Sequence, residues 1–510
     1  MNRRDIYSPE RDPLIRQEAA ARVSPLPGPT FSALAASVSP PAPLRIVIVG
    51  AGLAGLCAAY ELEKLGHTVV ILEADASHVG GRARTLRFGD GLYGEAGAMR
   101  IPKYHNLTRH YVSLFNLSLR KFVQSNDEAY YFVRGRRMRL KEEALLKSLF
   151  KLTPEEQAKN VGALWEKAVT SLLHGLIEPE RDDLFTSVLD TTNVRAIDQR
   201  SLQQLLEAAG ISEEAIELLG SAWGLETSLP SGASEHLREE LKAVWSSDFD
   251  EIVGGTDLLP RAFAENLHSR PRNGCEVVRL EQDAATNKAA AVYREGGSLK
   301  REEGDFLLCT LPLPVLSRLE VAPPFSGPKS QAIRLINYDS STKVLGIARR
   351  RFWEQDDGIF GGGTSTDLPT GFTYYPSDNE KARDPEVSAR PAVFLASYTW
   401  GQQARRLAAL SHREASAVVM RSLANVHPQI AEDQVIERTA MWSWDNHQWS
   451  SGAFAWFLPG QHTALQQDIV SPEGRIFFAG EHTSLTHTWM QGALESAQRA
   501  VAEIIYAAAP

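Results

Sequence analysis

Long apolar runs are missing from this chain. No segment has enough unbroken apolar residues to cross a bilayer. The N-terminal stretch from Met1 to Pro43 also lacks a leader-like core: Leu34-Ala35-Ala36-Ser37-Val38 is too short, and charges are spread from Arg3 to Arg22. Cysteine is nearly absent. Cys57, Cys275 and Cys309 are odd in number, lie in apolar or strand-like runs and match no zinc spacing. They read as buried free thiols in a reducing compartment, and no metal site is expected. An excess of basic charge is missing as well. Lys and Arg number 54 against 63 Asp and Glu, a net charge of −9, which argues against nucleic acid as the main partner. These absences predict a cytoplasmic protein with no membrane partner. At 510 residues the chain is long enough for two to three domains.

What is present begins at Leu44. Arg45-Ile-Val-Ile-Val49 is a β-branched run without polar alternation, which suits a strand buried on both faces of a parallel sheet. Gly50-Ala51-Gly52-Leu53-Ala54-Gly55 follows at once. A helical pattern from Leu56 to Leu65 stops at Gly66, and His67–Glu73 reads as a second strand. Glycines at this spacing are weak evidence alone. With a strand before, a helix after and an acid closing the next strand, they complete a β-α-β dinucleotide unit. Gly50 permits the tight turn, Gly52 admits a pyrophosphate to the backbone, and Gly55 lets helix and strand pack closely. The helix N-terminus favours phosphate charge. Glu73 offers a carboxylate to ribose hydroxyls and would repel a 2′-phosphate, which disfavours NADP. Just beyond, Gly80-Gly81-Arg82 brings backbone and a guanidinium towards the same ligand.

Further along, residues 142–247 are mainly helical in pattern, with helices predicted at Leu145–Leu152, Pro154–Leu176, Ile197–Ala209 and Glu213–Leu219. Strand signals return at Cys275–Leu280, Ala289–Arg294, Asp305–Leu311, Lys343–Ile347, Gly371–Tyr375, Ala392–Tyr398 and Arg475–Ala479. A closing helix is predicted over Gln491–Ala508 and a short one between Asp12 and Val23. Ser24–Pro29 and Ser39–Pro43 read as extended connectors.

The dinucleotide segments, together with Arg475-Ile-Phe-Phe-Ala-Gly480-Glu481-His-Thr483, resemble the flavin-containing amine oxidase family over roughly residues 44–505. The resemblance implies an α/β fold. An FAD-binding, Rossmann-like domain of the p-hydroxybenzoate hydroxylase type would be formed by 44–83, 248–337 and 470–510. A mixed-sheet substrate-binding domain would take 10–25, 84–141 and 338–469, and a helical insertion 142–247. FAD contacts are implied at Gly50 to Gly55, at Glu73, Ala74, Gly81 and Arg82, and at Met99 and Arg100. Others are implied at Gly480 and Glu481, beside the ribityl–pyrophosphate region, and through the backbone of Val277, beside the adenine.

Within the family, the finer resemblance is to L-amino acid oxidases. It rests on Gly97-Ala-Met-Arg100-Ile-Pro, Phe352-Trp-Glu-Gln-Asp-Asp-Gly-Ile359 and Thr364-Ser-Thr-Asp-Leu-Pro369. It implies that Arg100 binds the substrate α-carboxylate, which a guanidinium fork suits. Tyr398 would also bond that carboxylate, and Lys343 would hold a water near flavin N5. Trp442 and Trp489 would place aromatic walls beside the flavin, and Thr488 would offer a carbonyl to the substrate amine. Trp400, Ala453 and Phe454 fall near the side-chain pocket. Gly452-Ala453-Phe454 resembles the fungal lysine oxidase pattern, a hint of a long or basic side chain. Trp444, Trp449 and Trp456 read as core, His236 matches no catalytic base, and His487 fits the flavin loop. The implied reaction is FAD-dependent oxidation of an L-amino acid by oxygen, giving 2-oxo acid, ammonia and hydrogen peroxide, in a homo-oligomer. Alternatives are an amine or polyamine oxidase, an amino acid 2-monooxygenase and a non-catalytic flavoprotein.

Overall fold

The computed structural model describes residues 11–27, 42–245, 248–432 and 434–509. The predicted connectors at 24–29 and 39–43 lie partly outside the described residues. Arg45–Val49 is the central strand of a five-stranded sheet. The order is Arg272–Asn273, Thr68–Glu73, Arg45–Val49, Phe306–Cys309 and Ile476–Phe478, and every pairing is parallel. Both faces are covered, as its unbroken β-branched run requires. On one side Ile46 and Ile48 meet the Leu53–Lys64 helix and the long Met490–Ala507 helix. On the other, Val47 and Val49 meet a sheet formed by Ser298–Gly304, Lys288–Glu295, Glu276–Asp283 and Glu320–Ala322.

A seven-stranded sheet forms the second layer. Its order is Ile436–Ser443, Ser341–Ala348, Ala392–Trp400, Phe372–Tyr375, Gly362–Thr366, Tyr130–Val133 and Arg136–Arg139. Side-chain alternation divides its two faces. Val344, Phe394, Ala396 and Tyr375 join the core of the helical segment, whereas Leu345, Val393, Leu395 and Tyr374 pack with Met99 and Phe249. The second face carries the site.

The helical segment is more broken than its periodicity predicts. The stretch expected as one helix at Pro154–Leu176 forms Pro154–Ala158, Val161–Trp165, a wide turn at Glu166–Thr170, and Ser171–Gly175. Lys159 is extended, and the Asn160 side chain accepts the Ala163 N–H at 2.8 Å to start the next helix. Ile197–Ala209 likewise divides into Thr192–Asp198 and Leu202–Ala208, because Ser201 and Gln204 cap each other reciprocally. The Pro13–Ala21 helix, grouped by the sequence with the substrate sheet, is held by the helical segment instead. Arg181 donates to Glu18, and Arg22 pairs with Asp182. All three cysteines are buried and free. Among the described residues, no helix is long and apolar enough to cross a membrane.

Candidate active site

The two layers and the helical segment enclose a cavity of about 590 Å³. At one end lies the dinucleotide turn. Gly50 has a φ of 102°, and its N–H donates to Leu72 O at 2.8 Å. A Cβ at Gly55 would stand 2.1 Å from the Gly50 carbonyl oxygen, so only glycine lets the helix approach this closely. Gly52 opens the Leu53–Lys64 helix. A Cβ there would meet no protein atom within 4 Å, because this helix end faces the cavity. Glu73 is buried, and its two oxygens accept the N–H groups of Ala51 at 2.7 Å and Asp75 at 2.8 Å. Burial pushes its carboxyl above the usual value despite those bonds. Arg82 donates to Glu481 at 2.7 Å and to Ala453 O at 3.0 Å. Burial would raise the Glu481 carboxyl, but the Arg82 charge, the neighbouring histidines and the Thr488 N–H hold it below its usual value. Thr488 itself has a φ of 71°, a left-handed backbone rare for a β-branched residue. An open helix N-terminus, a buried acid at the cavity wall and a half-buried cation form a donor set that fits FAD.

Replacing Glu73 by Ala leaves the Ala51 and Asp75 N–H groups without their acceptor and would remove the carboxylate expected to meet a ribose. FAD affinity should fall by about 10- to 100-fold, read from flavin fluorescence on dilution. Undiminished affinity would reject the role.

The other end of the cavity is lined by Arg100, Gln124, Lys343, Tyr374, Tyr398 and Trp400. Arg100 is 7% exposed. It donates to Gln124 Oε1 at 2.8 Å and reaches the Tyr374 hydroxyl at 3.5 Å. The rings of Trp245, Phe249, Tyr374 and Phe122 surround its guanidinium at 5.0 to 6.0 Å. Among the described residues no carboxylate comes within ion-pair distance of it. Burial raises the Tyr398 hydroxyl, and the Arg100 charge acts against that rise, so the two groups share one electrostatic environment. Tyr398 packs on Trp400 with centroids 4.2 Å apart, and Lys343 Nζ lies 4.4 Å from its ring centre. Lys343 donates to Gly97 O at 2.7 Å and Glu95 O at 3.1 Å. Burial lowers its pKa strongly, and the Glu95 carboxylate only partly opposes that.

Most residues expected from sequence reach the cavity. Leu53, Ala54, Ala74, Gly81, Met99, Val277, Ala453, Phe454, Gly480, Thr488 and Trp489 line it with those already named. Trp442 does not. It lies on the edge strand Ile436–Ser443, where Arg84 at 4.6 Å, Trp444 and His447 surround its ring. Trp444, read as core, lines the cavity and donates to Ala96 O at 2.9 Å. Trp449 and Trp456 line it too. Ala51 and Gly55 stand behind the wall and shape it: Ala51 accepts the Gly80 N–H, and Gly55 packs on Gly50. Nothing in the sequence singled out Gln124, Tyr374, Glu239 or Glu240. For the glutamates a signal existed, since His236, Glu239 and Glu240 recur at helical spacing and so share one face of the Ala233–Leu241 helix. Burial raises the Glu239 carboxyl to about 7, although the Trp489 and Trp245 N–H groups bond it at 3.0 and 2.6 Å.

Comparison with known proteins places this arrangement among flavoenzymes. Residues 53–505 match the family described as flavin containing amine oxidoreductase. The chain is 32% identical to the L-amino-acid oxidase of Siganus canaliculatus over 467 residues, covering 90% of this chain and 85% of that protein. It is 35% identical to the putative L-amino-acid oxidase YobN of Bacillus subtilis (strain 168) over 472 residues, covering 91% and 95%. Its fold resembles wild-type putrescine oxidase bound to putrescine, with a TM-score of 0.72 at 20% identity, covering 91% and 99% of the two chains. Cyclohexylamine oxidase from Brevibacterium oxydans IH-35A gives 0.69 at 18% identity with the same coverage.

Proposed function

Because the chain belongs to the flavin-containing amine oxidoreductases, we propose that it deaminates L-amino acids oxidatively, using oxygen as acceptor. The observation that carries this reading is Arg100, a cavity-lining guanidinium with no carboxylate partner among the described residues. An amine substrate offers such a group nothing, whereas an α-carboxylate matches its fork. The L-amino-acid oxidases at 32% and 35% identity support the same reading.

Arg100 grips the carboxylate, with the Tyr398 hydroxyl in the same environment. That fixes the orientation of the Cα–H bond, and orientation is the protein's main contribution to rate. FAD, when bound, supplies the acceptor for hydride from Cα and passes both electrons on to oxygen. Trp489, Trp400 and Tyr398 wall the cavity with rings that exclude bulk water. Lys343, held near neutrality by burial, is suited to hold the water that hydrolyses the released imino acid. The sum balances: amino acid, oxygen and water give 2-oxo acid, ammonia and hydrogen peroxide.

The test is peroxide release across the twenty L-amino acids, with D-enantiomers and the decarboxylated amines as controls. L-amino acids should be oxidised, and the amines at least 100-fold less efficiently. Equal efficiency with amines would replace this reading by an amine oxidase.

A further inference from the structure

The Ala233–Leu241 helix forms one wall of the cavity, and its two cavity-lining glutamates differ. Glu239 holds the indole N–H groups of Trp245 and Trp489. Glu240 is 3% exposed, lines the cavity and receives long bonds, from Trp165 Nε1 at 3.3 Å and Thr170 Oγ1 at 3.4 Å. Among the described residues no Lys, Arg or His comes within ion-pair distance of it. Resting on the oxidase reading above, we infer that Glu240 accepts a cationic substrate side chain, so that the cavity selects L-amino acids ending in an ammonium or guanidinium group.

The argument is one of charge and desolvation. A buried carboxylate with no counter-charge is costly, and it either takes up a proton or finds a cation. Burial raises the Glu240 carboxyl to about 8. Arg100, in the same cavity, is the complementary case: a buried cation with no carboxylate within ion-pair distance among the described residues, although Glu239 acts on it from farther off. A basic amino acid offsets both, its carboxylate at Arg100 and its side-chain cation at Glu240. Trp165 and Trp223, with ring centres 6.3 Å apart, line the cavity beside Glu240, and aromatic faces suit ammonium and guanidinium groups.

Selectivity should also follow pH with a defined sign. Glu240 binds a cation only when ionised, so preference for basic substrates rises as pH climbs through about 8. Glu239, in the same cavity with its carboxyl raised to about 7, ionises in part of the same range, so the assignment to Glu240 rests on the Glu240→Gln profile. His236 is held at about 4 by burial and stays neutral. On the elements packed against this helix, Glu18 is engaged by Arg22 and Arg181, Asp198 by Thr463 and Ser234, and Lys167 by Gly210 O, while Glu166 is exposed.

The experiment measures anaerobic flavin reduction in the holoenzyme with L-lysine, L-arginine, L-norleucine, cadaverine and pentylamine between pH 6.5 and 9. The lysine-to-norleucine efficiency ratio, after each efficiency is corrected for that substrate's own α-amine titration, should be about 30 or more and rise with pH. Glu240→Gln should cut the ratio about 30-fold and flatten its pH profile. A wild-type ratio near one, or a ratio unmoved by Glu240→Gln, would overturn the inference. The wild-type ratio decides the matter even if the variant fails to fold. The amines separate the two readings: cadaverine oxidised as well as lysine, but far better than pentylamine, would sink the amino acid reading and leave Glu240 in place.

Discussion

Replacing Arg100 with methionine should lower kcat/KM for every accepted L-amino acid by about a thousandfold, or roughly 4 kcal/mol. The loss has two parts. The substrate carboxylate loses a bidentate, charge-assisted partner, and it must then sit uncompensated among the rings of Trp245, Phe249, Tyr374 and Phe122. Methionine keeps much of the side-chain volume, so the packing at this 7%-exposed position survives and FAD should stay bound. A lysine at the same position should recover only part of the loss, because a point charge cannot reproduce the fork. The measurement is steady-state kinetics on two or three amino acids, with the bound-flavin spectrum as control. Unchanged kinetics with flavin retained would discard the carboxylate role and with it the amino acid reading.

The second large effect separates two glycines that one motif treats alike. Gly55→Ala would drive a methyl to 2.1 Å from the Gly50 carbonyl oxygen, so helix and strand must part. The cost should be about 3 kcal/mol or more, seen as a lower melting temperature with or without flavin. Gly52→Ala meets no protein atom within 4 Å, and its backbone, at φ −72°, suits any residue. Its apoprotein should melt like the parent, yet take up FAD poorly, because the new methyl would project into the cavity space that a pyrophosphate would need at this helix end. Melting curves of the apo and holo forms of both variants test this. Equal behaviour of the two would show that the motif is a packing device alone.

Local and distant signals differ in how far a sequence betrays them. The strand, turn, helix and acid from Arg45 to Glu73 are neighbours in the chain and agree with one another, so the unit is legible from those residues alone. The helix breaks at Asn160 and Ser201 are written as capping residues too, but the apolar period runs straight through them. Trp442 and Trp444 lie two apart in the chain, and spacing alone cannot say which reaches the cavity. Glu239 and Glu240 show in sequence only their helical spacing from His236. The packing of Trp165, Trp245 and Trp489 against them, which leaves Glu240 buried and Glu239 half-buried, is not legible from that spacing. Residues brought together from distant parts of a chain leave no local trace.

The order of strands in the parallel sheet has a consequence for how the molecule is made. The strand beside Phe306–Cys309 is Ile476–Phe478, and the loop after it supplies Glu481, the partner of Arg82. A ribosome must therefore pass Glu481 before that sheet edge is covered and the Arg82–Glu481 pair at the cavity can form. Until then the nascent chain displays the unpaired, apolar border Phe306–Cys309, the kind of surface that invites self-association. Recombinant yield should accordingly depend on chaperone supply and growth temperature more than on flavin supply, because the cavity wall is incomplete until the Glu481 loop has been made.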